Sequence, residues 1–193
     1  MTVPPTRLAR WLEGFTERHG PTTTTPGPDL VALLAADGAS AEVEVPFPPL
    51  TGDLVEHVTR DRTVGVLLVR KGGHAAGVFE GDRLVASKVG SRHVQGRTAA
   101  GGWSQQRFAR RREGQTAVAY QAAADTAAGV LLGRGLDAVV TGGDRSAVEA
   151  VLLDPRLSGL PVTGRLLDVP DPRLAVLRDA PFRDVWIRVQ EPD

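Results

Sequence analysis

The chain has 193 residues, 41% of them apolar and 24% charged, with 23 basic and 23 acidic side chains that cancel. These proportions are those of a globular protein of one domain, or one domain with an appendage, long enough to bury a sizeable core. No apolar run approaches the ~20 residues needed to span a bilayer, the charged start of the chain lacks an apolar signal core, and the absence of cysteine removes disulfide and thiolate chemistry, so a cytoplasmic protein without membrane contact is expected.

In chain order, Thr6 to Arg18 reads as a helix, because Leu8, Trp11, Leu12 and Phe15 recur at i, i+3, i+4 and i+7. Gly20-Pro21 stops it. Thr22 to Pro28 reads as a linker, and Leu30 to Ala36 as a short helix that Asp29 caps and Gly38 closes. Ala41 to Val45 alternates as a half-buried strand does, and Pro46, Pro48 and Pro49 end it. Residues 1–62 are therefore expected to form a helical cap and linker packed on a core domain, 63–193.

The core domain opens with the most strand-like run of the chain, Thr63 to Arg70. Gly72-Gly73 turns into a second strand, His74 to Glu80, and Gly81-Asp82 into a third, Arg83 to Val89. In the third strand Leu84, Ala86 and Lys88 are expected on one face. A polar loop with four glycines, Gly90 to Gly102, leads to a long helix from about Ser104 to about Gly133, alanine-rich between Ala117 and Ala128. Its apolar face is expected to hold Phe108, Ala119, Ala122, Thr126 and Val130. Leu136 to Thr141 reads as a strand, Arg145 to Leu153 as a helix with Asp144 as its cap, Val162 to Val169 as a short strand, Pro172 to Asp179 as a short helix, and Phe182 to Gln190 as a last strand. The fold class is α+β: a mixed, largely antiparallel sheet with packed helices, in a ribonuclease-H-like layout.

The neutral total hides an uneven distribution. Between Arg83 and Arg112 there are eight basic residues (Arg83, Lys88, Arg92, Arg97, Arg107, Arg110, Arg111 and Arg112) and no acidic one, so the rest of the chain is net acidic by eight. Such a patch attracts polyanions, above all nucleic-acid phosphates. At a 3.6-residue period Arg107, Arg110 and Arg111 fall within about 100° of one another, with Arg112 to the side. The glycines permit close backbone approach, and a helix start offers N–H groups to an anion or oxyanion. The amides of Gln105 and Gln106 have no useful pKa, but they can orient water and donate to a transition state. That set suits hydrolysis of an activated ester carried by a nucleic acid.

The string Gly101-Gly102-Trp103-Ser104 followed by Arg107-Phe108-Ala109-Arg110 resembles the loop-to-helix junction in the central domain of eukaryotic and archaeal peptide-chain release factors, where a Gly-Gly-Gln tip precedes Ser-x-x-Arg-Phe-Ala-Arg. Trp103 stands where that motif has glutamine. Gly102-Trp103-Ser104-Gln105 is more similar to the Gly-x-x-Gln loop of the Vms-like release factors, peptidyl-tRNA hydrolases of ribosome quality control, and the chain is placed with their bacterial, actinobacterial-type branch; the ankyrin and zinc-finger regions of the larger members are not visible. The resemblance implies a catalytic tip of Gly102 and Gln105, with Gln106 as the alternative glutamine. It also implies RNA contacts from Lys88, Arg92, Arg97, Trp103, Arg107, Arg110, Arg111 and Arg112. Trp103 would serve as a stacking platform or as an apolar lid. The partners implied are the large ribosomal subunit, its RNA and peptidyl-tRNA, not DNA, and no metal or organic cofactor is called for. Two other classes compete: a ribosome- or RNA-binding rescue module without catalysis, and a metal-dependent nuclease, which would need clustered carboxylates that the basic window lacks. Gly142-Gly143-Asp144 reads as a capped turn in preference to a phosphate loop.

Overall fold

A computed structural model describes residues 1–71, 73–91 and 104–192, with only the main chain described over 104–113. The elements in chain order are β1 (Thr2–Val3), α1 (Leu8–His19), β2 (Thr22–Pro26), β3 (Leu30–Ala35), β4 (Ser40–Glu44), α2 (Leu54–Thr59), β5 (Thr63–Arg70), β6 (Gly73–Glu80), β7 (Arg83–Ser91), α3 (Ser104–Leu131), β8 (Ala138–Gly143), α4 (Arg145–Leu152), α5 (Leu174–Arg178) and β9 (Val185–Gln190). They divide into two compact units, Met1–Asp61 with Pro181–Asp193, and Arg62–Ala180.

The first unit is a five-stranded sheet in the order β1-β9-β4-β3-β2, antiparallel throughout, with α1 contributing buried Leu8 and Phe15 to the same core as Val31, Leu33, Val43 and Ile187. Three expectations are corrected here. The expected linker is strand β2, because a run of β-branched threonines suits a pleated ribbon. The expected helix from Leu30 is strand β3. Its true period is two, with Val31, Leu33 and Ala35 buried, but exposed Leu34 and Ala32 hide the alternation. The last strand, expected in the second domain, lies between β1 and β4 and completes this sheet. The stretch 1–62 is thus a mixed unit built on a sheet, with α1 and α2 beside four strands, rather than a helical cap and linker. A helix that the sequence pattern did not suggest, α2, starts where the Asp53 carboxylate accepts from the N–H groups of Val55 and Glu56.

The second unit is a four-stranded sheet in the order β7-β6-β5-β8, antiparallel except for the β5/β8 pair. Beyond β8, Val162 and Leu167 bridge to it in parallel at Val139 and Gly142, which is all that forms of the strand expected over 162–169. Helices α3 and α4 pack on one face, where Ala123, Ala124, Ala127, Val130 and Leu131 meet Leu67, Ala76, Val78, Val139, Val148 and Val151. The short helix α5 packs against β6 and β7, and Leu177 and Leu84 close over Gly77, where a Cβ would stand 2.9 Å from each of their terminal methyls. The result is the mixed α+β arrangement expected.

One face assignment changes. The register of β6 and β7 shifts between Val78 and Phe79, so that Val78 pairs with Ala86 while Phe79 pairs with Leu84, leaving Val85 as an extra residue. Leu84 therefore sits on the α5 face, while Val85 and Ala86 both pack on the α3 side. Lys88 pairs with Ala76, a member of the α3-facing core, and so points to the α3 side of the sheet, where it is exposed.

Candidate functional site

The site is organised by α3 and the strand that precedes it. Strand β7 includes Gly90 and Ser91, two residues of the expected loop. Gly90 is needed there for close approach: a Cβ would run into the ring of His74, its cross-strand partner. His74 is 6% exposed, and its Nε2 lies 3.0 Å from the Thr126 hydroxyl of α3. This buried contact ties the helix to the ends of β6 and β7, where Gly73 faces Ser91.

That tie fixes what lies beyond the sheet. Leu131 packs over Gly65 near the start of β5, Thr126 is level with His74, and Tyr120 stands among Arg70, Lys71 and Asp144 at the strand ends. From Tyr120 back to Ser104, α3 continues unbroken for sixteen residues, about 24 Å at 1.5 Å per residue. Among the described residues the strands end near the level of Tyr120, so the helix continues past them toward Ser104.

The candidate residues fall as follows. Gln105, Gln106, Arg107, Arg110, Arg111 and Arg112 occupy the first turns of α3, and Ser104 is the first helical residue rather than a cap outside it. In helical register, positions 107, 110 and 111 lie on the side of the axis opposite Ala123, Ala127 and Val130, the sheet-facing stripe. Positions 105 and 112 fall on the sheet-facing side, and 106 at its edge. The buried stripe runs through Ala123, Ala124, Thr126, Ala127, Val130 and Leu131; Ala119 and Ala122 are only half-buried. Lys88 is exposed on β7, on the α3 side. Gly102, Trp103, Arg92 and Arg97 lie outside the described residues, as does Gly101.

Among the described residues no group of three or more His, Asp or Glu side chains could hold a metal ion, and no helix is long and apolar enough to cross a membrane. The turn before α4 departs from simple capping: Asp144 occupies the cap position, but its carboxylate accepts no helical N–H. It accepts instead from the Lys71 N–H at 3.1 Å and approaches Arg70 Nε at 3.4 Å. Gly143, with φ of +102°, lets the chain make that turn against the Val69 carbonyl.

Comparison with known proteins adds a family and distant structures. Residues 62–190 match the family described as Actinobacteria/chloroflexi VLRF1 release factor. Among solved structures the chain is similar to the archaeal translation termination factor aRF1, at 16% identity and a TM-score of 0.42 over 93% of this chain and 61% of that one. It is also similar to a structure described as an archaeal protein, at 19% identity and a TM-score of 0.41 over 90% of this chain and 53% of that one. The chain thus spans between about half and three fifths of the lengths of these two. No curated protein matches it.

Proposed function

This chain belongs to the Actinobacteria/chloroflexi VLRF1 release factor family, and from that membership we propose that it is a peptidyl-tRNA hydrolase that frees nascent chains from obstructed ribosomes or large subunits in the cytoplasm. The observation that carries the reading is the continuation of α3 from Tyr120 back to Ser104, with Gln105 and Gln106 in its first turn about 22 Å along the axis from Tyr120. A tip of that length suits entry into a narrow RNA-walled centre.

In the proposed reaction, water adds to the carbonyl carbon of the ester between the peptide and the terminal ribose of the tRNA. The oxygen of that ribose leaves with one proton of the water, the other passes to solvent, and the peptide departs as a carboxylate. A neutral carboxamide contributes by orienting the water and by donating to the developing oxyanion, and the free N–H groups of the first helical turn add to that donation. Gln105 is assigned this role from the Gly-x-x-Gln spacing, with Gly102 giving the close backbone approach and Gln106 as its neighbour in the same turn. The arginine positions opposite the buried stripe, together with Lys88, Arg92 and Arg97, would hold RNA phosphates, which position without reading sequence. Trp103 would stack on an exposed base.

The test is release of a labelled peptide from purified peptidyl-tRNA–ribosome complexes by the wild-type chain and by Gln105→Ala. Loss of release with binding retained supports the assignment. Binding without release by the wild type would make the chain a rescue module that docks on ribosomes and leaves the ester intact.

A further inference from the structure

A second feature stands at the root of the overhang. Where β5 and β8 end side by side, a crevice of about 700 Å³ opens, lined by Lys71, Tyr120, Arg145, Ser146 and Asp171 around the Arg70–Asp144 pair. The strands are parallel, and the chain leaves them in opposite directions across the sheet: β5 leads to β6 on one side, while Val162 and Leu167 follow β8 on the other. Crevices outside the carboxyl ends of parallel strands at such a switch point are the usual ligand sites of open sheets.

The lining divides into a fixed wall and free groups. Arg70 is committed, through Nη1 to the Val169 carbonyl at 2.8 Å and through Nε to Asp144, and Asp144 also accepts from the Lys71 N–H. Among the described residues, by contrast, the Lys71 ammonium, the Arg145 guanidinium, the Ser146 hydroxyl, the Tyr120 hydroxyl and the Asp171 carboxylate have no hydrogen-bond or ion-pair partner. Lys71, Arg145, Ser146 and Asp171 are exposed to solvent around half-buried Tyr120, and together they suit a ligand with an anionic group, a flat face and hydroxyl or amine donors. Burial and the nearby Asp144 carboxylate both push the Tyr120 phenol above its ordinary pKa, so it stays protonated and able to donate.

The geometry points to a nucleotide-binding crevice: a sugar-phosphate unit with its phosphate on Lys71, Arg145 and Ser146, its ribose hydroxyls or base amine on Asp171, and its base against Tyr120. The volume is in the range of small-molecule sites and would be mostly empty around a phosphate alone. A free mononucleotide and one residue of an RNA strand present the same chemistry, and the crevice lies along α3 about 22 Å from Gln105. The inference stands apart from ester hydrolysis.

Tyr120 is the single tyrosine of the chain, so 3-fluorotyrosine labelling gives one ¹⁹F resonance inside the crevice. The intact protein is titrated with adenosine 5′-monophosphate, with a short single-stranded RNA and with inorganic phosphate. A saturable shift with the mononucleotide, weakened at least tenfold in Lys71→Glu/Arg145→Glu, supports the site and makes the ligand a free nucleotide. The same behaviour with the RNA alone supports it and makes the ligand a strand. Lys71→Ala/Arg145→Ala, which removes the cations without reversing charge, gives the same weakening if the reversed variant fails to fold. No shift, an equal shift with inorganic phosphate, or a shift unchanged in both variants overturns the inference. Peptide release is not read, so the outcome is separable from that of the release assay.

Discussion

The two halves of α3 obey opposite rules. From Ala123 to Leu131 the helix lies on the sheet, and its composition is dictated by closeness: alanines at 123, 124 and 127 let the backbone approach β6 and β5, and Leu131 fills the space over Gly65. From Ser104 to Arg112 the same helix passes beyond the strands, and its sequence holds five polar or basic residues among the first seven positions and three arginines in succession. One half is written by packing and the other by what it must meet outside the protein. A helix can carry both because it needs burial along only part of its length to stay folded; packing, rather than propensity, supplies most helical stability.

Substitutions in the first half are expected to change chemistry and leave stability alone. Gln105→Ala is expected to lower single-turnover peptide release by ~100-fold or more, the size associated with removing one oxyanion donor, with the unfolding midpoint and ribosome affinity unchanged. Gln106→Ala is expected to have the smaller effect, and the reverse order would move the role to Gln106. Next in size, Arg110→Glu/Arg111→Glu is expected to weaken ribosome binding by roughly tenfold at moderate salt and to flatten its dependence on salt concentration, since fewer counterions are released. A binding isotherm series over salt concentration with an unchanged slope would separate these arginines from the RNA.

The second half sharpens the contrast from the other side. Gly90→Ala, which forces the His74 ring away, and Thr126→Val, which removes the hydroxyl that His74 meets, are each expected to cost about 1–3 kcal/mol in urea unfolding. Both lie at the root of the overhang and not at its tip, so chemistry measured at saturating protein should persist. Smallest is an acid-side effect at the outer surface of the helix. Arg156 bonds Asp154 and also Asp125 of α3, and the Arg156 guanidinium holds the Asp154 carboxyl down to about 2 from 3.8. A depressed carboxyl contributes stability above its ordinary value and loses it as pH falls through the lowered one. Arg156→Ala should therefore flatten the loss of thermal stability between about pH 4 and pH 2, by an amount kept small by solvent screening at this exposed site.

How much was legible depended on whether one pattern had one meaning. The meander β5-β6-β7, the long helix and β8 could be read because strand alternation, glycine turns and an alanine-rich run of that length have few alternatives. The first unit was misread where the signals were ambiguous. Leu30 to Ala35 is apolar on both faces of its strand, and Thr22 to Pro26 becomes a strand only because β3 is there to pair with it. The glutamines and arginines of the tip stood out through charge and spacing. The crevice at the strand ends did not, because Lys71, Tyr120, Arg145 and Asp171 are scattered over a hundred residues of sequence with no spacing in common.

By itself, then, the sequence determined the family, the periodic elements of the second unit and the uneven placement of charge, since each is a local property of composition and spacing. Only the tertiary structure decided that β9 returns to the first sheet, that a bulge moves Leu84 to the opposite face from Lys88, and that α3 runs on past its strands from a buried His74–Thr126 contact. Those outcomes depend on pairings between residues far apart in the chain, whose free energy exists only once both partners are in place.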